Sequence, residues 1–390
     1  MEHKAENILH EPLWVKDFIL ITLVNLFTFL GFQMLMPTLP VYAKSLGGGN
    51  TSAGLVVGFF TFSALLIRPF AGHALDIYGR KAVLFLGLIV FASCVISYTW
   101  AVSLFILLAI RFVHGFGWGL TSTASSTVAS DIVPRARMGE GMGYYGMSAT
   151  ISMALAPALG LHIIGKYNFD VLFRISFSML IIAIFLSSLI KYKKSNGTGQ
   201  KLKLVEKNAL RPALTIFFIT MTYGAIVSFI ALYAAQKGIV NIGIFFTVYA
   251  LSLAVFRPLS GRLTDMKGFD FVVIPGIIMV GLAMIILFFA ESLKWFLFAA
   301  VIYGAGFGTV QPSLQALAIL ISPPERRGSA NATFFSGFDL GIGSSAVMWG
   351  IVSEFTGYSL MYLLSVIPVL LALFIYIYLG KREVKARNIL

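Results

Sequence analysis

The sequence has few charged residues for its size. They make up 12% of its 390 residues, whereas hydrophobic residues make up 58%. Soluble domains carry about 25% charged residues, so a soluble globular protein is excluded. The apolar stretches run without interruption for about twenty residues, which is the length that a helix needs to cross a bilayer. They lack the period-two alternation of membrane β-barrel strands. We therefore predict an all-α membrane protein.

Reactive and metal-binding groups are also scarce. Cys94 is the one cysteine and lies inside an apolar stretch, so we expect neither a disulfide nor a cysteine-ligated metal. The sequence shows no nucleophile with a nearby base and no phosphate-binding loop, since its short Gly-x-Gly runs lie within predicted spans. We predict no enzyme activity, no cofactor and no metal. The first 16 residues are polar, so no cleavable signal peptide is expected.

Twelve apolar stretches have the length of a membrane span. They lie at 17–39, 52–72, 82–99, 103–128, 140–163, 171–190, 212–234, 242–262, 271–290, 295–320, 329–352 and 358–380. The longest polar interruption, 191–211, is rich in Lys, Ser, Gly and Asn and is typical of a flexible linker. We therefore divide the chain into a first six-helix half at 1–190, a basic linker at 191–211 and a second half at 212–390.

The basic residues fall mostly on one side of the predicted membrane. With the N-terminus inside, the cytoplasmic segments carry 21 of the 29 Lys and Arg residues, and the outer loops carry 4. Lys and Arg accumulate in cytoplasmic loops, so both termini are expected in the cytoplasm of a multi-pass cell-membrane protein. The net charge of +13 is then a topology signal that also favours contact with anionic lipid. Nucleic acid is not an expected partner.

The two halves repeat one another. The sequence RPFAGHALDIYG begins at Arg68, and RPLSGRLTDMKG begins 189 positions later at Arg257. The same offset relates Gly115, Gly117 and Gly119 to Gly304, Gly306 and Gly308, and Pro134, Arg137 and Gly139 to Pro323, Arg326 and Gly328. Three separated segments at one offset indicate a duplication. Because each copy has an even number of spans, the copies are parallel.

Two motifs resemble those of the major facilitator transporters. The loop after the second span reads Gly72-His-Ala-Leu-Asp76-Ile-Tyr-Gly79-Arg80-Lys81, which is similar to the family signature G-x-x-x-D-x-x-G-R-K. On the fourth span, Arg111-Phe-Val-His114-Gly115 is similar to a second family element, with His where Gln is usual. The resemblance implies twelve helices in two parallel six-helix repeats that rock around a midplane site. It also implies a conformational gate formed by Gly72, Asp76, Gly79, Arg80 and Lys81.

The fifth span resembles the glycine-rich element of drug–proton antiporters. The matching positions are Gly143, Ser152, Ala156, Pro157 and Gly160, with Ser and Ala in place of two glycines. Small residues allow close helix packing, and Pro bends a helix. The resemblance implies a proton-coupled antiporter that exports small amphipathic, drug-like compounds by alternating access.

Such a transporter would have three kinds of partner: a small-molecule substrate, protons and membrane lipid. We expect it to work as a monomer. Two alternatives remain open at this point. One is an importer or facilitator of sugars or organic acids with the same fold, and the other is a membrane sensor that does not transport.

Three residues are candidates for proton coupling. Asp339 is the only acidic residue deep inside a predicted span, where an ionised side chain costs about 2.5–3.5 kcal/mol. That cost favours the neutral form and suits a proton carrier, although a hydrogen-bonded Asp between helices is the alternative. Arg111 cannot release its proton, and the resemblance implies a role in coupling; otherwise it anchors the helix. His114, one turn further on, either titrates or holds an interhelical hydrogen bond.

A stripe of polar and aromatic residues predicts the substrate cavity, because spans 1, 4, 7 and 10 line the cavity in the family that the chain resembles. The candidates are Asn25, Phe29, Gln33, Trp118, Tyr303, Phe307, Gln311 and Gln315. Such a lining suits an amphipathic organic molecule, although Asn and Gln also join membrane helices to one another. Arg68 and Arg257 lie near predicted span ends, and we expect them to extend to the cytoplasmic surface.

Overall fold

The computed structural model describes residues 12–47, 50–193, 204–239 and 242–387, and within these ranges it is almost entirely helical. The long helices, numbered in chain order, are α1 Lys16–Ser45, α2 Asn50–Tyr78, α3 Arg80–Ser97, α4 Leu104–Ile132, α5 Met138–Lys166, α6 Phe169–Ser188, α7 Leu210–Gln236, α8 Ile244–Lys267, α9 Phe269–Phe288, α10 Leu293–Leu320, α11 Arg327–Leu364 and α12 Val366–Arg387. One-turn 3₁₀ helices at Arg135–Arg137 and Pro324–Arg326 lead into α5 and α11.

Eleven helical stretches of the described chain are long and apolar enough to cross a membrane. The last stretch, Pro324–Gly380, covers two spans, because α11 is interrupted at Gly357. Gly357 has a φ of 76°, which is in the left-handed region that glycine adopts without steric cost. The predicted helical membrane fold is therefore confirmed.

The described residues group into two compact units by their contacts. The first unit contains residues 1–136, 144–205 and 323–332, and the second contains residues 137–143, 206–322 and 333–390. Two helices are therefore shared. The first residues of α5, up to Gly143, belong to the second unit, and the first residues of α11, up to Ala332, belong to the first.

The helices inside each unit pair in the same way. In the first unit, α4 packs on α2 and α3, while α1 packs on α6. In the second unit, α10 packs on α8 and α9, while α7 packs on α12. These pairs correspond when six is added to each helix number, as a parallel duplication predicts.

Glycines at equivalent positions make equivalent close contacts, which fixes the register of the repeat. A Cβ on Gly115 would clash with the side chain of Ser63 and the carbonyl of Phe60. A Cβ on Gly304 would clash with Ser252 and the carbonyl of Tyr249, and all three pairs of positions differ by 189. Only glycine lets α4 approach α2, and α10 approach α8, this closely. The duplication read from the sequence therefore holds at the level of individual contacts.

The helices α2 and α8 both end at a glycine with a positive φ. The φ is 90° at Gly79 and 87° at Gly268, two positions that also differ by 189. Both helices continue past their predicted spans, to Tyr78 and Lys267, before these turns. The extra turns carry the acidic residues Asp76 and Asp265, which lie near the ends of the helices.

Candidate functional site

Aromatic side chains form the centre of the first unit. The ring of Trp118 on α4 stacks on Phe32 of α1 at 4.2 Å between centroids and meets Phe29 edge-on at 4.8 Å. Phe60 of α2 stacks on Phe32 at 5.0 Å. The structure thus brings together two of the predicted cavity residues, Phe29 and Trp118. Gln33, on the same helix as Phe29, is half-buried.

Asn25, also predicted to line the cavity, lies instead in a buried hydrogen-bond network. Its Nδ2 donates to Ser148 Oγ at 2.7 Å, and its Oδ1 accepts from the Tyr145 hydroxyl at 2.9 Å. Tyr145 Oη is also 2.8 Å from Ser125 Oγ on α4. The side chain is 3% exposed, so this network joins α1, α4 and α5 inside the first unit.

Arg111 is completely buried and is held by neutral groups. Its Nε donates to the Val56 carbonyl at 3.0 Å, and its Nη1 lies 3.2 Å from Nδ1 of His114. The guanidinium sits 4.1 Å from the centre of the Phe60 ring, a favourable cation–π contact. Among the residues that the structure describes, no carboxylate forms an ion pair with Arg111.

His114 is fixed in one neutral tautomer by its neighbours. An arginine N–H can only donate, so Nδ1 of His114 must accept from Arg111. The Tyr98 hydroxyl, 2.8 Å from the same nitrogen, is a second donor. The imidazole proton therefore lies on Nε2, and His114 acts here as the acceptor that positions Arg111.

The second unit has an aromatic cluster of its own. Phe307 of α10 stacks on Tyr303 at 5.7 Å and on Tyr223 of α7 at 5.4 Å. Tyr249 of α8 approaches Tyr303 at 5.7 Å, and Phe338 of α11 meets Phe307 at 6.4 Å. Tyr303 and Phe307 were predicted to line the cavity, whereas Tyr223 and Tyr249 were not.

The two aromatic clusters are copies of one arrangement. Phe60, His114 and Trp118 correspond at the 189-residue offset to Tyr249, Tyr303 and Phe307. The ring distances correspond as well: 5.3 Å for Phe60–His114 against 5.7 Å for Tyr249–Tyr303, and 6.3 Å for Phe60–Trp118 against 6.5 Å for Tyr249–Phe307. Once the structure shows Phe60 beside Trp118, the repeat offset identifies Tyr249 as its counterpart in the second unit.

Arg257 and Arg68 do not extend to the protein surface as expected. Arg257 is 6% exposed, and its Nη2 donates to Oε1 of Gln311 on α10 at 2.7 Å. Arg68 is 2% exposed and donates to the hydroxyls of Ser122 and Thr123 on α4. Both side chains turn toward a neighbouring helix of their own unit. Gln311 is half-buried beside Arg257, while Gln315, one turn later, is 3% exposed.

Asp339 lies half-buried on α11, in the second unit. On either side of Asp339, α11 packs closely against α7. Gly337 contacts the Ala213 carbonyl, and Gly341 contacts the Phe217 carbonyl. The three candidates for proton coupling are therefore divided. Arg111 and His114 belong to the first unit and Asp339 to the second.

The predicted gate residues surround a carboxylate bound to a helix N-terminus. Asp76 accepts hydrogen bonds from the backbone amides of Gly328 and Ser329, each at 3.0 Å, and from the Ser329 hydroxyl. Gly72 of α2 packs against the first turn of α11, where a Cβ on residue 72 would clash with Gly328 and Ser329. We call the contact of Asp76 with Gly328 and Ser329 the first latch.

A buried ionic network supports the first latch. Arg80 donates from Nε to Asp131 at 2.8 Å, and Arg327, at the start of α11, donates to the other Asp131 oxygen at 3.1 Å. Arg80 also lies 3.9 Å from Asp76. Lys81 is exposed, with its ammonium 5.8 Å from the Phe85 ring, and takes no part in this network.

The second unit contains an equivalent latch that was not predicted. Asp265 of α8 accepts hydrogen bonds from the backbone amides of Gly139 and Glu140 at the start of α5, each at 2.8 Å. Glu140 in turn accepts from Arg137 and Arg262, also at 2.8 Å. Positions 265, 139 and 140 correspond to positions 76, 328 and 329 at the repeat offset. We call the contact of Asp265 with Gly139 and Glu140 the second latch.

The small residues of α5 allow close helix contacts. Ser152 donates to the Leu26 carbonyl of α1 at 3.1 Å, and Gly160 leaves no room for a Cβ against the backbone of Met34. Gly143 packs equally closely against the carbonyl of Arg257. Ala156 is fully buried, and Pro157 follows it inside the helix.

Comparison with known proteins identifies the family. The sequence model described as Major Facilitator Superfamily matches the chain over residues 21–240 and 212–389. An uncharacterized MFS-type transporter from Methanocaldococcus jannaschii is 24% identical over 90% of this chain and 95% of its own length. The staphylopine export protein of Staphylococcus aureus is 22% identical over 89% and 92%. The quinolone resistance protein NorA of Staphylococcus aureus is 29% identical over about half of each chain, 54% and 56%.

Solved structures share the fold. The human organic anion transporter MFSD10 (TETRAN) superposes with a TM-score of 0.81 over 93% of this chain and 99% of its own, at 16% identity. The fucose:proton symporter FucP of Escherichia coli superposes with a TM-score of 0.76 over 93% and 98%, also at 16% identity. At this identity the structural likeness concerns the fold alone.

Proposed function

The chain belongs to the Major Facilitator Superfamily, and on that premise we propose that it exports small amphipathic organic compounds in exchange for protons. The protein would lie in the cell membrane with both termini in the cytoplasm. The observation that carries the proposal is the buried Arg111, which neutral groups hold inside the first unit. A buried cation without a carboxylate partner is costly in a membrane helix and is typical of an ion pathway.

Proton exchange requires a group that changes its charge during the cycle. We assign this role to Asp339, the only acidic residue deep within a span, and we assign Arg111 the task of keeping a fixed positive charge in the pathway. His114 would keep the guanidinium in place as a hydrogen-bond acceptor. One proton that moves inward across 100 mV yields about 2.3 kcal/mol, enough for a roughly fifty-fold gradient of a neutral solute.

The two aromatic clusters support an amphipathic substrate. Ligand sites for organic molecules combine apolar and aromatic walls with a few polar groups that fix orientation. The cluster around Trp118 and the cluster around Phe307 have this composition, and Tyr223 and Gln311 are half-buried at the second one. The staphylopine export protein among the relatives supports the export direction, and the quinolone resistance protein NorA supports a drug-like substrate.

The two latches would close the cytoplasmic side during each cycle. Free N–H groups and partial positive charge at a helix N-terminus stabilise a carboxylate by about 0.3–1 kcal/mol at exposed sites and by up to ~2 kcal/mol when partly buried. Bonds of this strength break and re-form easily, so they suit a reversible gate. Asp76 and Asp265 would both have to release their helix termini before the cytoplasmic side opens.

A transport assay tests the proposal. The purified protein is reconstituted in liposomes with an imposed pH gradient, candidate organic compounds are added, and compound movement and internal pH are followed in the same run. Proton-coupled antiport predicts that an outwardly directed proton gradient drives compound accumulation and that each compound which accumulates dissipates the gradient. Uptake in the same direction as the protons would identify a symporter, and the absence of movement for every compound would favour a sensor.

A further inference from the structure

The membrane-spanning helices bury more arginines than carboxylates. Arg68, Arg111 and Arg257 are between 0% and 6% exposed, whereas Asp339 is the only carboxylate deep inside a span. Arg257 lies eight residues before the latch residue Asp265, which corresponds to about 12 Å along a helix, so it sits well inside the bundle. A guanidinium in the position of Arg257 repels a cationic substrate and attracts an anionic one.

Arg257 is the arginine best placed to meet a substrate. Arg111 is fully buried beneath the Phe60 ring, and Arg68 donates to two hydroxyls of α4. Arg257 instead contacts Gln311, which is half-buried and lies one helical turn after Phe307 on α10.

Gln311, one of the groups that Arg257 contacts, is a partner that an anion can replace. A neutral amide oxygen is a weaker acceptor than a carboxylate, which can take two parallel N–H bonds from a guanidinium. The Tyr223–Phe307 stack beside this pair offers a flat apolar surface for an aromatic or aliphatic body. The two features together match an organic molecule with one anionic end and one apolar end.

We propose that Arg257, next to Gln311 and the Tyr223–Phe307 stack, binds the anionic group of the substrate, so that the transported compounds are amphipathic organic anions. This inference rests on the proposed transport function and names its substrate class. Carboxylates, sulfonates and phosphonates on an apolar body all fit this chemistry. A neutral amide of the same shape gains only a single, weaker hydrogen bond from Arg257, and a cation of the same shape is repelled by it.

Three probes of nearly equal shape test the charge preference directly. Binding of 2-naphthoate, 2-naphthamide and 2-naphthylmethylammonium to the purified full-length protein is measured by equilibrium dialysis with labelled probes. The wild-type protein is expected to bind naphthoate at least tenfold more tightly than the amide and to bind the ammonium most weakly. Equal binding of the three probes, or no binding of naphthoate, overturns the proposal.

Variants assign the preference to Arg257. Arg257→Gln should lower naphthoate affinity to that of the amide and leave amide affinity within twofold of wild type. Arg257→Lys keeps the charge but loses the paired N–H donors, so it should weaken naphthoate three- to tenfold while naphthoate still binds more tightly than the amide. Arg257→Lys serves as the test if Arg257→Gln does not fold. Arg68→Gln, at the equivalent position of the first repeat, is the matched control and should keep the wild-type preference.

The binding assay separates this inference from the transport proposal. If naphthoate binds through Arg257 but moves no protons in liposomes, the substrate class stands and proton-coupled export fails. If protons exchange with neutral or cationic compounds and Arg257→Gln retains the wild-type probe preference, the substrate class is wrong and the transport proposal stands.

Discussion

Asp76 and Asp265 are 189 residues apart and make the same contact, since each carboxylate accepts two backbone amides at the start of a helix. The helix is α11 for Asp76 and α5 for Asp265. Their supporting ions differ. Arg80, Asp131 and Arg327 form a buried network near Asp76, whereas Glu140 beside Asp265 is bound by Arg137 and by Arg262, whose side chain is 62% exposed. The duplication has thus kept the carboxylate–helix contact while its surroundings diverged.

Loss of either latch should slow transport without unfolding the protein. Asp76→Asn and Asp265→Asn keep an acceptor oxygen but remove the charge that the helix terminus stabilises, worth up to ~2 kcal/mol each because neither carboxylate is exposed. We expect each variant to lower the initial transport rate in liposomes at least twofold, and the double variant to lower it further, because the two carboxylates bind different helix N-termini.

Lys81→Gln is the control for the latch variants. Lys81 belongs to the same sequence motif, but its exposed side chain makes no contact with Asp76 in the structure. The transport rate of Lys81→Gln should therefore stay at the wild-type value. Wild-type kinetics in both aspartate variants, at normal protein yield, would reject the gate role.

Asp131 should matter for stability more than any exposed carboxylate. Its two oxygens accept from Arg80 and Arg327, whose side chains are 6% and 7% exposed. Asp131→Asn removes the carboxylate that both buried guanidinium groups share and leaves Arg80 the longer ion pair with Asp76 at 3.9 Å. Removing one partner of a buried pair costs about 3–5 kcal/mol. We therefore expect a clear fall in the thermal unfolding midpoint.

Asp170→Asn is the control for Asp131, because Asp170 is exposed in the first turn of α6. A helix-terminus contact of this kind contributes less than about 1 kcal/mol, so the midpoint should change little. An equal effect of the two substitutions would contradict the structural role given to the Asp131 network.

His114 should act as an acceptor and not as a titrating group. Its Nδ1 receives both the Arg111 and the Tyr98 donors, so the imidazole is neutral in this arrangement. His114→Gln supplies an amide oxygen in a similar position and should retain transport with the wild-type dependence on pH. His114→Leu leaves two buried donors unsatisfied, at about 1–3 kcal/mol each, and should reduce both stability and transport.

A pH optimum that shifts in His114→Gln would assign a proton-carrying role to the histidine. In that case the coupling path includes His114, and the neutral tautomer describes only one state of the cycle.

The sequence predicts the fold well because the membrane imposes strong rules on it. Twelve apolar stretches of span length form helices. The repeat offset also relates specific contacts: the contact of Gly115 with Ser63 recurs as the contact of Gly304 with Ser252. The same offset predicts Asp265 as the counterpart of Asp76, since it lies 189 residues later. It was missed because its motif lacks the closing Arg-Lys pair of the first repeat.

The site residues are harder to predict because their roles depend on which helix face meets which neighbour. Arg257 lies five residues from the end of a predicted span, a position that suggests a side chain reaching the surface. The helix α8 continues to Lys267, however, and Gln311 of α10 binds the guanidinium. Asn25 has the spacing of a cavity residue, yet Ser148 and Tyr145 occupy its amide. Neither partner follows from the spacing along one helix.

Asp339→Asn is the decisive substitution for proton-coupled transport. Asn has the size of Asp and most of its hydrogen-bonding capacity but cannot titrate. In liposomes with a pH gradient we predict that this variant loses accumulation of substrate against its gradient, while downhill exchange and substrate binding continue. Glu291→Gln, which changes an exposed carboxylate of the second unit, is the matched control and should accumulate substrate normally. Accumulation by Asp339→Asn at the wild-type level and with the wild-type pH dependence would show that Asp339 does not carry the coupled proton.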